Sequence, residues 1–592
     1  MTNCQFIGYW GYGNLENLEQ QLSNLLNAAP ATLGTAKQLA GFRKGNCCYG
    51  VGWIGSDRGL SEAAIDNDII ATLSASGLPH SHDAWVQVTP NNRLILGREP
   101  FGRVPLYWTQ GEQIIWFASR LQLLFPILAT PQVSIPGLYG YSCFSYVPTP
   151  LTPVEQILAI PAGTQQIWQG CDEQQIIATA QPERLLQWQE KTAVIQEEET
   201  AIKQLQILLQ DAIQRQINDL TSEPVGVFLS GGLDSSVVAA LLVQAGVKVQ
   251  AYTLDFGDAG IPEWFYAEQV AEFLNIPLVK VDATPRRIQK AMIPTVQALD
   301  LPFGDGVTVP LFLLAQAASQ ETRIIFNGEG GDQLFAGWTN KPLIAAGVYN
   351  TEHPAGEEVF TQHYLRTFHR LYGYEHQVYQ PEIYSQVQQL CPQDWLQEAL
   401  DPTFNTSLLH RLRRATLMLK GAQNIHPRAT NLAFANGVNV RSPFCDLPLA
   451  EWTFQLSGEL CLRGACEKYI LKRAVENWLP PDIIWREKRG MGVPLTSWCF
   501  NHFWHQIGTW LNPGRLRAEG RFSPQLAAQV VGDELGGGIR GRRIGEILWL
   551  LIIWQLWRTT VFGEEVGSLS WHHPFGLPRW LWSYSNRWKE EN

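Results

Sequence analysis

Residues 225–236 read VGVFLSGGLDSS. A five-residue apolar run, Val225 to Leu229, gives way to Ser230, Gly231 and Gly232, after which Asp234, Ser235 and Ser236 stand at the mouth of a second apolar run. Read as strand, turn and helix, the loop sits where several backbone N–H groups point outward and the next helix presents its positive end. Such a nest binds anions, and glycine lets the backbone come close to them. Phosphate is the default guest. The loop is not a Walker A sequence, because no GKS or GKT follows and the lysine that reaches terminal phosphates there is missing. The plain alternative is a glycine-rich turn in which Asp234 and Ser235 only cap a helix.

Working outward, VQAYTLDF at 249–256 and RIIFNG at 323–328 are further buried-strand candidates, separated from 225–229 and from each other by helical pattern such as SVVAALLVQAG and EWFYAEQVAEFLN. That alternation predicts a doubly wound α/β domain whose ligand lies at the carboxyl ends of its strands. Just past the third run, NGEGGDQLFAGW (327–338) puts Glu329 and Asp332 where they would converge on the same crevice; Gln333 at the third glycine position breaks a dinucleotide fingerprint. Upstream, Ile202, Leu205, Leu208, Leu209, Ile213 and Ile217 recur at steps of three and four, an amphipathic helix. Residues 360–560 read as mostly helical. Before about residue 185 the pattern is short strands and turns, with Pro90-Asn91-Asn92 as a hairpin turn. The organisation expected is therefore a sheet-rich domain at 1–185, a polar linker at 186–200, the α/β domain at 201–562 and a tryptophan-rich tail at 563–592.

Bulk properties narrow the setting. With 592 residues, 45% hydrophobic and 17% charged, the chain is a folded multidomain protein. A net charge of -11 leaves no basic excess for a phosphate backbone, so a nucleic-acid partner is not expected. Ten cysteines without a CxxC pair read as reduced, mostly buried thiols. The opening MTNCQFIGYWGYGN lacks the features of a secretion signal, which points to a cytoplasmic location. The most apolar segment, IGEILWLLIIWQLW (544–557), contains Glu546 and Gln555 and is short for a bilayer span, so it reads as a buried helix and no membrane association is expected.

SGGLDSS resembles the pyrophosphate loop of ATP pyrophosphatases. Together with NGEGGDQLFAGW, RSPFCD (441–446), EKYILKRA (467–474) and WREKRGMGVPLTSW (485–498), in that order, it resembles the asparagine synthetase family. GREPFGRVPLYW (97–108) and FASR (117–120) are similar to the end of that family's amino-terminal glutaminase domain. The resemblance implies an Ntn-hydrolase-like αββα sandwich followed by a doubly wound ATP pyrophosphatase domain with a helical carboxyl-terminal part. It implies ATP and Mg²⁺, with Leu229 and Leu254 flanking the adenine. Ser230, Gly231, Gly232, Ser235 and Ser236 would hold phosphates, and the backbone of Asn327 and Gly328 would contact the nucleotide. Asp234 and Asp332 would share the metal, Glu329 would face the activated carboxyl and the incoming amine, and Lys468 would neutralise the pyrophosphate, with Lys488 and Arg489 as further candidates. The activity implied is adenylation of a small-molecule or peptide carboxylate, aspartate by default, followed by amide formation with ammonia or an amine.

Departures from the family pattern shape the remaining expectations. CQFIGYWG places Cys4 on the glutaminase nucleophile's position, but three residues precede it, and a base supplied by the cysteine's own α-amine requires their removal. Segments matching RGPD or NGEIYN are missing, so this half reads as a relic that keeps its fold. Thr430, Asn431, Asn439 and Leu301 replace charged or amide residues usual in the family and leave the acceptor's identity open. Two rival readings stand beside the ligase. One is a cyclase of the β-lactam or lasso-peptide type, which uses an amine already in the substrate. The other is a non-catalytic nucleotide-binding regulator, against which the set Asp234, Glu329, Asp332 and Lys468 argues.

Overall fold

The computed structural model describes residues 5–30, 36–44, 47–55, 69–78, 82–171, 175–179, 181–191, 194–257, 263–337, 357–405, 407–488, 490–532, 535, 542–571 and 573–578. Cys4, Arg489 and Trp580, Trp582 and Trp588 of the tail lie outside them.

The amino-terminal half is built on two antiparallel sheets. The first contains β1 (Gln5–Gly11), β2 (Ala36–Lys44), β3 (Cys47–Gly55), β7 (Tyr107–Gln110), β8 (Ile114–Ala118) and β9 (Leu158–Ala159), ordered β2-β3-β1-β8-β7-β9. The second contains β4 (Ile69–Leu73), β5 (Ala84–Thr89), β6 (Arg93–Arg98), β10 (Thr164–Gly170) and β11 (Ile176–Ala178), ordered β11-β10-β6-β5-β4, with β12 (Glu183–Arg184) pairing to β10. Asn92 adopts a positive φ of 55° in the tight β5–β6 turn, a conformation that asparagine tolerates better than most residues. Helix α1 (Leu15–Ala28) is capped by the Asn14 side chain and buries Leu18, Leu22, Leu25 and Leu26, spaced three and four apart, against the first sheet.

The second half carries a five-stranded parallel sheet. Its strands are β13 (Val225–Phe228), β14 (Val249–Asp255), β15 (Leu278–Asp282), β16 (Ile324–Phe326) and β17 (Asn439–Arg441), ordered β15-β14-β13-β16-β17. Strand order reverses between β13 and β16, which opens the crevice where doubly wound sheets bind ligands. Both edge strands, β15 and β17, escaped the sequence pattern. β15 sits at the sheet edge with only Val281 buried, and β17 has three residues, too few to show a period.

Helix α2 (Glu198–Ile217) begins three residues earlier than Ala201 and turns Leu205, Leu209 and Ile213 inward. Helix α3 (Leu233–Gln244) is buried continuously from Leu233 to Leu242, because it packs between the sheet and its neighbours rather than on the surface. Val237, Val238 and Leu242 are fully buried there, each contributing about 1.5–3 kcal/mol. The 186–200 stretch is docked: Trp188 stacks on Phe454, Lys191 and Ile195 donate to the carbonyls of Phe454 and Gln455, and Ser457 returns a bond to Ile195.

Contacts join the two halves. Val440 of β17 donates to the Ala75 carbonyl (3.0 Å) and Arg441 Nε to that of Ser76 (3.1 Å), so a loop of the first half covers an edge of the parallel sheet. Helix α4 (Arg542–Thr560) buries Trp549, Trp554 and Trp557 completely and accepts a bond from Tyr141 Oη to the Leu550 carbonyl (2.7 Å). Among the described residues no helix is long and apolar enough to cross a membrane. The described part of the tail lies on its own domain. Phe575 packs 4.8 Å from Trp504 and Ser570 bonds Asn512, while Trp571 is 95% exposed.

Candidate active site

The loops after β13 and β16 face each other across the crevice. After β13, Gly231 takes φ +69°, and an added Cβ there would collide with Tyr266, so only glycine fits the turn. The Ser235 hydroxyl accepts from the Ser230 amide (3.2 Å), and the Ser230 hydroxyl accepts from the Gly232 amide (3.3 Å). The amides of Gly231, Leu233 and Asp234 find no acceptor among the described residues and remain available to an anion. Ser236 is different. It is fully buried and donates to the Gly232 carbonyl (2.8 Å), so it shapes the loop from behind rather than facing the crevice.

After β16 the run of glycines is a matter of clearance. A Cβ on Gly328 would stand 2.6 Å from the Ser235 amide, and one on Gly331 would collide with Asp234 Oδ1. Asn327 is spent on the fold: its N–H donates to the Arg441 carbonyl (3.0 Å), and its Oδ1 accepts from Ser442 (2.6 Å) and the Glu329 amide (3.3 Å). The side chain thereby fixes the backbone of Glu329.

Leu229, Ser230, Asp234, Ser235, Leu254, Asn327, Gly328, Glu329 and Asp332 line one cavity of about 180 Å³, together with Lys488. An adjoining cleft of about 650 Å³ shares Ser230, Glu329, Asp332 and Lys488 and adds Gly231, Gly232 and Lys468. All the candidates within the described residues except Ser236 thus border one continuous space.

Lys468 Nζ is bonded to Asp234 Oδ2 and lies 2.5 Å from Asp332 Oδ1, and Lys488 Nζ lies 2.9 Å from Asp332 Oδ2. The lysine backbone is held at φ 54°, ψ 30°, a left-handed conformation that costs a residue with a Cβ about 1–2 kcal/mol. Gly337 accommodates its side chain, because a Cβ there would collide with Lys468 Cε. Burial raises the Asp234 carboxyl above its ordinary value, with Asp332 adding to the effect and Lys468 opposing it. Burial pushes Asp332 the same way, but the ammonium groups of Lys468 and Lys488 outweigh it and hold Asp332 well below the usual carboxylate range. Asp332 therefore keeps its charge while Asp234 takes a proton more readily. Glu329 is also raised, by burial first, with Arg428 opposing and Asp332 and Asp234 adding.

Lys488 takes a direct part in the charge cluster, and WREKRGMG carried its signal. Its backbone amide donates to Glu467 Oε1 (3.0 Å), and Lys472 balances that buried carboxylate at 3.7 Å. Arg486 stacks 3.6 Å from the Tyr266 ring centroid and reaches toward the Gly231 carbonyl. Arg428, Asp305 and Lys420 also line the larger cleft, and sequence alone gave no sign of them. Thr430, Asn431, Asn439 and Leu301 line neither of these two spaces. Asn431 donates to the Leu299 carbonyl.

Comparison with known proteins agrees with this architecture. Residues 204–559 match the asparagine synthase family, and residues 85–177 match the glutamine amidotransferase domain family. A glutamine-hydrolysing asparagine synthetase of Bacillus subtilis is 21% identical over 501 residues, covering 79% of this chain and 76% of its own. That of Gallus gallus is 22% identical over 310 residues, covering 50% and 44%. An NH3-dependent NAD synthetase structure from Campylobacter jejuni aligns over 34% of this chain and 96% of its own at 13% identity, with a TM-score of 0.19. The chain belongs to the asparagine synthase family of ATP-dependent ligases.

Proposed function

We propose that the protein adenylates a carboxylic acid, aspartate by default, and joins its acyl group to ammonia or an amine. The observation that carries this reading is the continuous space in which a nest of unpaired amides, two carboxylates bridged by a lysine, and Glu329 meet at the ends of β13 and β16.

In this reading Leu229 and Leu254 border the adenine, and the Gly231, Leu233 and Asp234 amides with the Ser230 and Ser235 hydroxyls hold the two outer phosphates. An oxygen of the acid attacks the α-phosphorus, and the bond to pyrophosphate breaks. Lys468 and Lys488 supply the positive charge that the departing group needs. Asp234 and Asp332 suit Mg²⁺: both are oxygen donors, Asp234 Oδ1 is buried without a donor of its own, and a magnesium ion commonly takes one or two carboxylates alongside substrate phosphates. Held by Asp234 and Asp332, such an ion would supply positive charge to offset that of the phosphates. The amine nitrogen then attacks the acyl carbon, AMP leaves, and Glu329 accepts the nitrogen's proton. Its raised affinity for protons suits a base that must take one from an ammonium group.

Residues 1–185 are read as the donor half, retained for its fold, with free ammonia or a substrate amine as nitrogen source. Exchange of labelled pyrophosphate into ATP, stimulated by the correct acid, tests the first step. Amide formation assayed with ammonium against glutamine tests the second. Exchange with none of a broad panel of acids would support the nucleotide-binding regulator instead.

A further inference from the structure

The larger cleft is lined by several cations, and their commitments differ. Lys468 bonds Asp234 and Asp332, Lys488 bonds Asp332, and Lys472 faces Glu467. Arg370 bonds Glu546 (2.9 Å) and Arg428 bonds Asp305 (2.5 Å), while Arg486 is stacked on Tyr266. Lys420 alone of these lysines and arginines has no hydrogen bond, ion pair or ring contact among the described residues, and its side chain is exposed within the cleft. Its electrostatic neighbours are Asp305, Asp332, Arg428 and Arg370, and neither acid lies within ion-pair reach of its ammonium group.

The backbone that presents Lys420 is unusual. Residues Leu417–Ile425 form a π-helical segment between the α-helices Leu408–Thr416 and His426–Ala435. Segments wound this way are rare and concentrate at functional sites. Here the segment delivers Lys420, Asn424 and Ile425 to the cleft wall. Asn424 Oδ1 accepts from Arg428 Nη1 at 3.0 Å, which helps fix the guanidinium on Asp305. Glu329, on the border shared with the nucleotide cavity, likewise makes no side-chain hydrogen bond or ion pair among the described residues. Among the described residues the cleft therefore offers one uncommitted cation, Lys420, and two uncommitted carboxylates, Glu329 at the nucleotide border and Glu487.

We infer that Lys420 is the specificity residue for the acid, receiving a second anionic group, carboxylate or phosphate-like, on the molecule whose other carboxyl is adenylated. The inference rests on the ligase reading for the identity of the reacting carboxyl, while the anion site itself stands on the charge pattern. It makes the second anion, and not an amino group, the feature required of the substrate.

The test uses the full chain with Mg²⁺ and a non-hydrolysable ATP analogue, titrated calorimetrically with aspartate, succinate, 3-phosphonopropionate, β-alanine and propionate, beside pyrophosphate exchange with ATP. The dianionic acids should bind, β-alanine and propionate should bind at least about 10-fold more weakly, and Lys420→Met should weaken the dianions by about 10- to 100-fold. Lys420→Arg should restore most of that loss, and the KM for ATP should not move. Aspartate and succinate binding without 3-phosphonopropionate would restrict the site to carboxylates. Equal binding of mono- and dianionic acids, or dianion binding unchanged in Lys420→Met, overturns the inference even where exchange is robust. Lys420-dependent binding of dianions without exchange by any acid would retain the site and remove the ligase reading.

Discussion

Buried charge is used in two opposite ways in this molecule. In the amino-terminal half Arg98 is 2% exposed and gives its guanidinium to the carbonyls of Val104, Ile160 and Gly102 at 2.6–2.8 Å, so that every nitrogen has an acceptor. At the ends of β13 and β16, Asp234 keeps a buried oxygen with no donor, and Glu329 makes no side-chain bond among the described residues. Saturated charge closes a structure. Charge left short of partners, at a cost of a few kcal/mol per group, is found where a ligand is to complete it. A guanidinium that only ties backbone together can be judged by stability alone, while the carboxylates of the crevice must be judged by chemistry.

The largest expected effect breaks the comparison at Glu329. Glu329→Gln should lower amide formation by roughly 10²- to 10⁴-fold while acid-dependent pyrophosphate exchange stays within a few-fold of wild type. Because burial raises this carboxyl, the acid limb of the wild-type rate profile should lie above the ordinary glutamate value of 4.5, with activity gained as pH rises through it, and should vanish in the variant. Parallel loss of exchange would assign Glu329 to the first step.

Lys468→Met comes next. It leaves Asp234 and Asp332 facing each other without their shared cation, and exchange should fall about 10²- to 10³-fold, with circular dichroism confirming the fold. On the other side of the comparison, Arg98→Met strands three carbonyls and should cost about 3 kcal/mol in denaturant unfolding, while kcat of the folded fraction is unchanged. A change in kcat would show that the two uses of charge are not separable.

The smallest effect concerns Asp305. The Arg428 guanidinium, aided by Thr308, outweighs burial and holds this carboxyl below its ordinary value of 3.8. A carboxyl lowered on folding stabilises the protein above the unfolded value and loses that contribution as pH falls through the folded one. Thermal unfolding should therefore show a loss of stability as pH falls below about 4 that is flatter in Asp305→Asn.

Much of this was legible in the chain. The β13 run, its glycine turn and the α3 helix follow from an apolar stretch, a positive-φ glycine and a small hydroxyl cluster, each a local cause with a local signature. So does NGEGG, whose glycines give the clearance beside Asp234. The edges of the sheet were not legible, since three residues such as Asn439–Arg441 become a strand only by pairing with Ile324–Phe326. Ser236 was read as a phosphate ligand by its place in the motif, but a helix start also needs a side chain to accept or donate behind it, and only the packing shows which serine does so.

The sequence by itself determined the nest, the two acidic loop ends and the apolar runs that become the strands presenting them, because hydrophobic period and turn chemistry act over a few residues. Only the tertiary structure decided which charges are spent and which stay free. Lys468 meets Asp234 across 234 positions of chain, and Arg428 meets Asp305 across 123. Whether a lysine such as Lys420 is committed or available is a property of those distant encounters, and no local pattern encodes it.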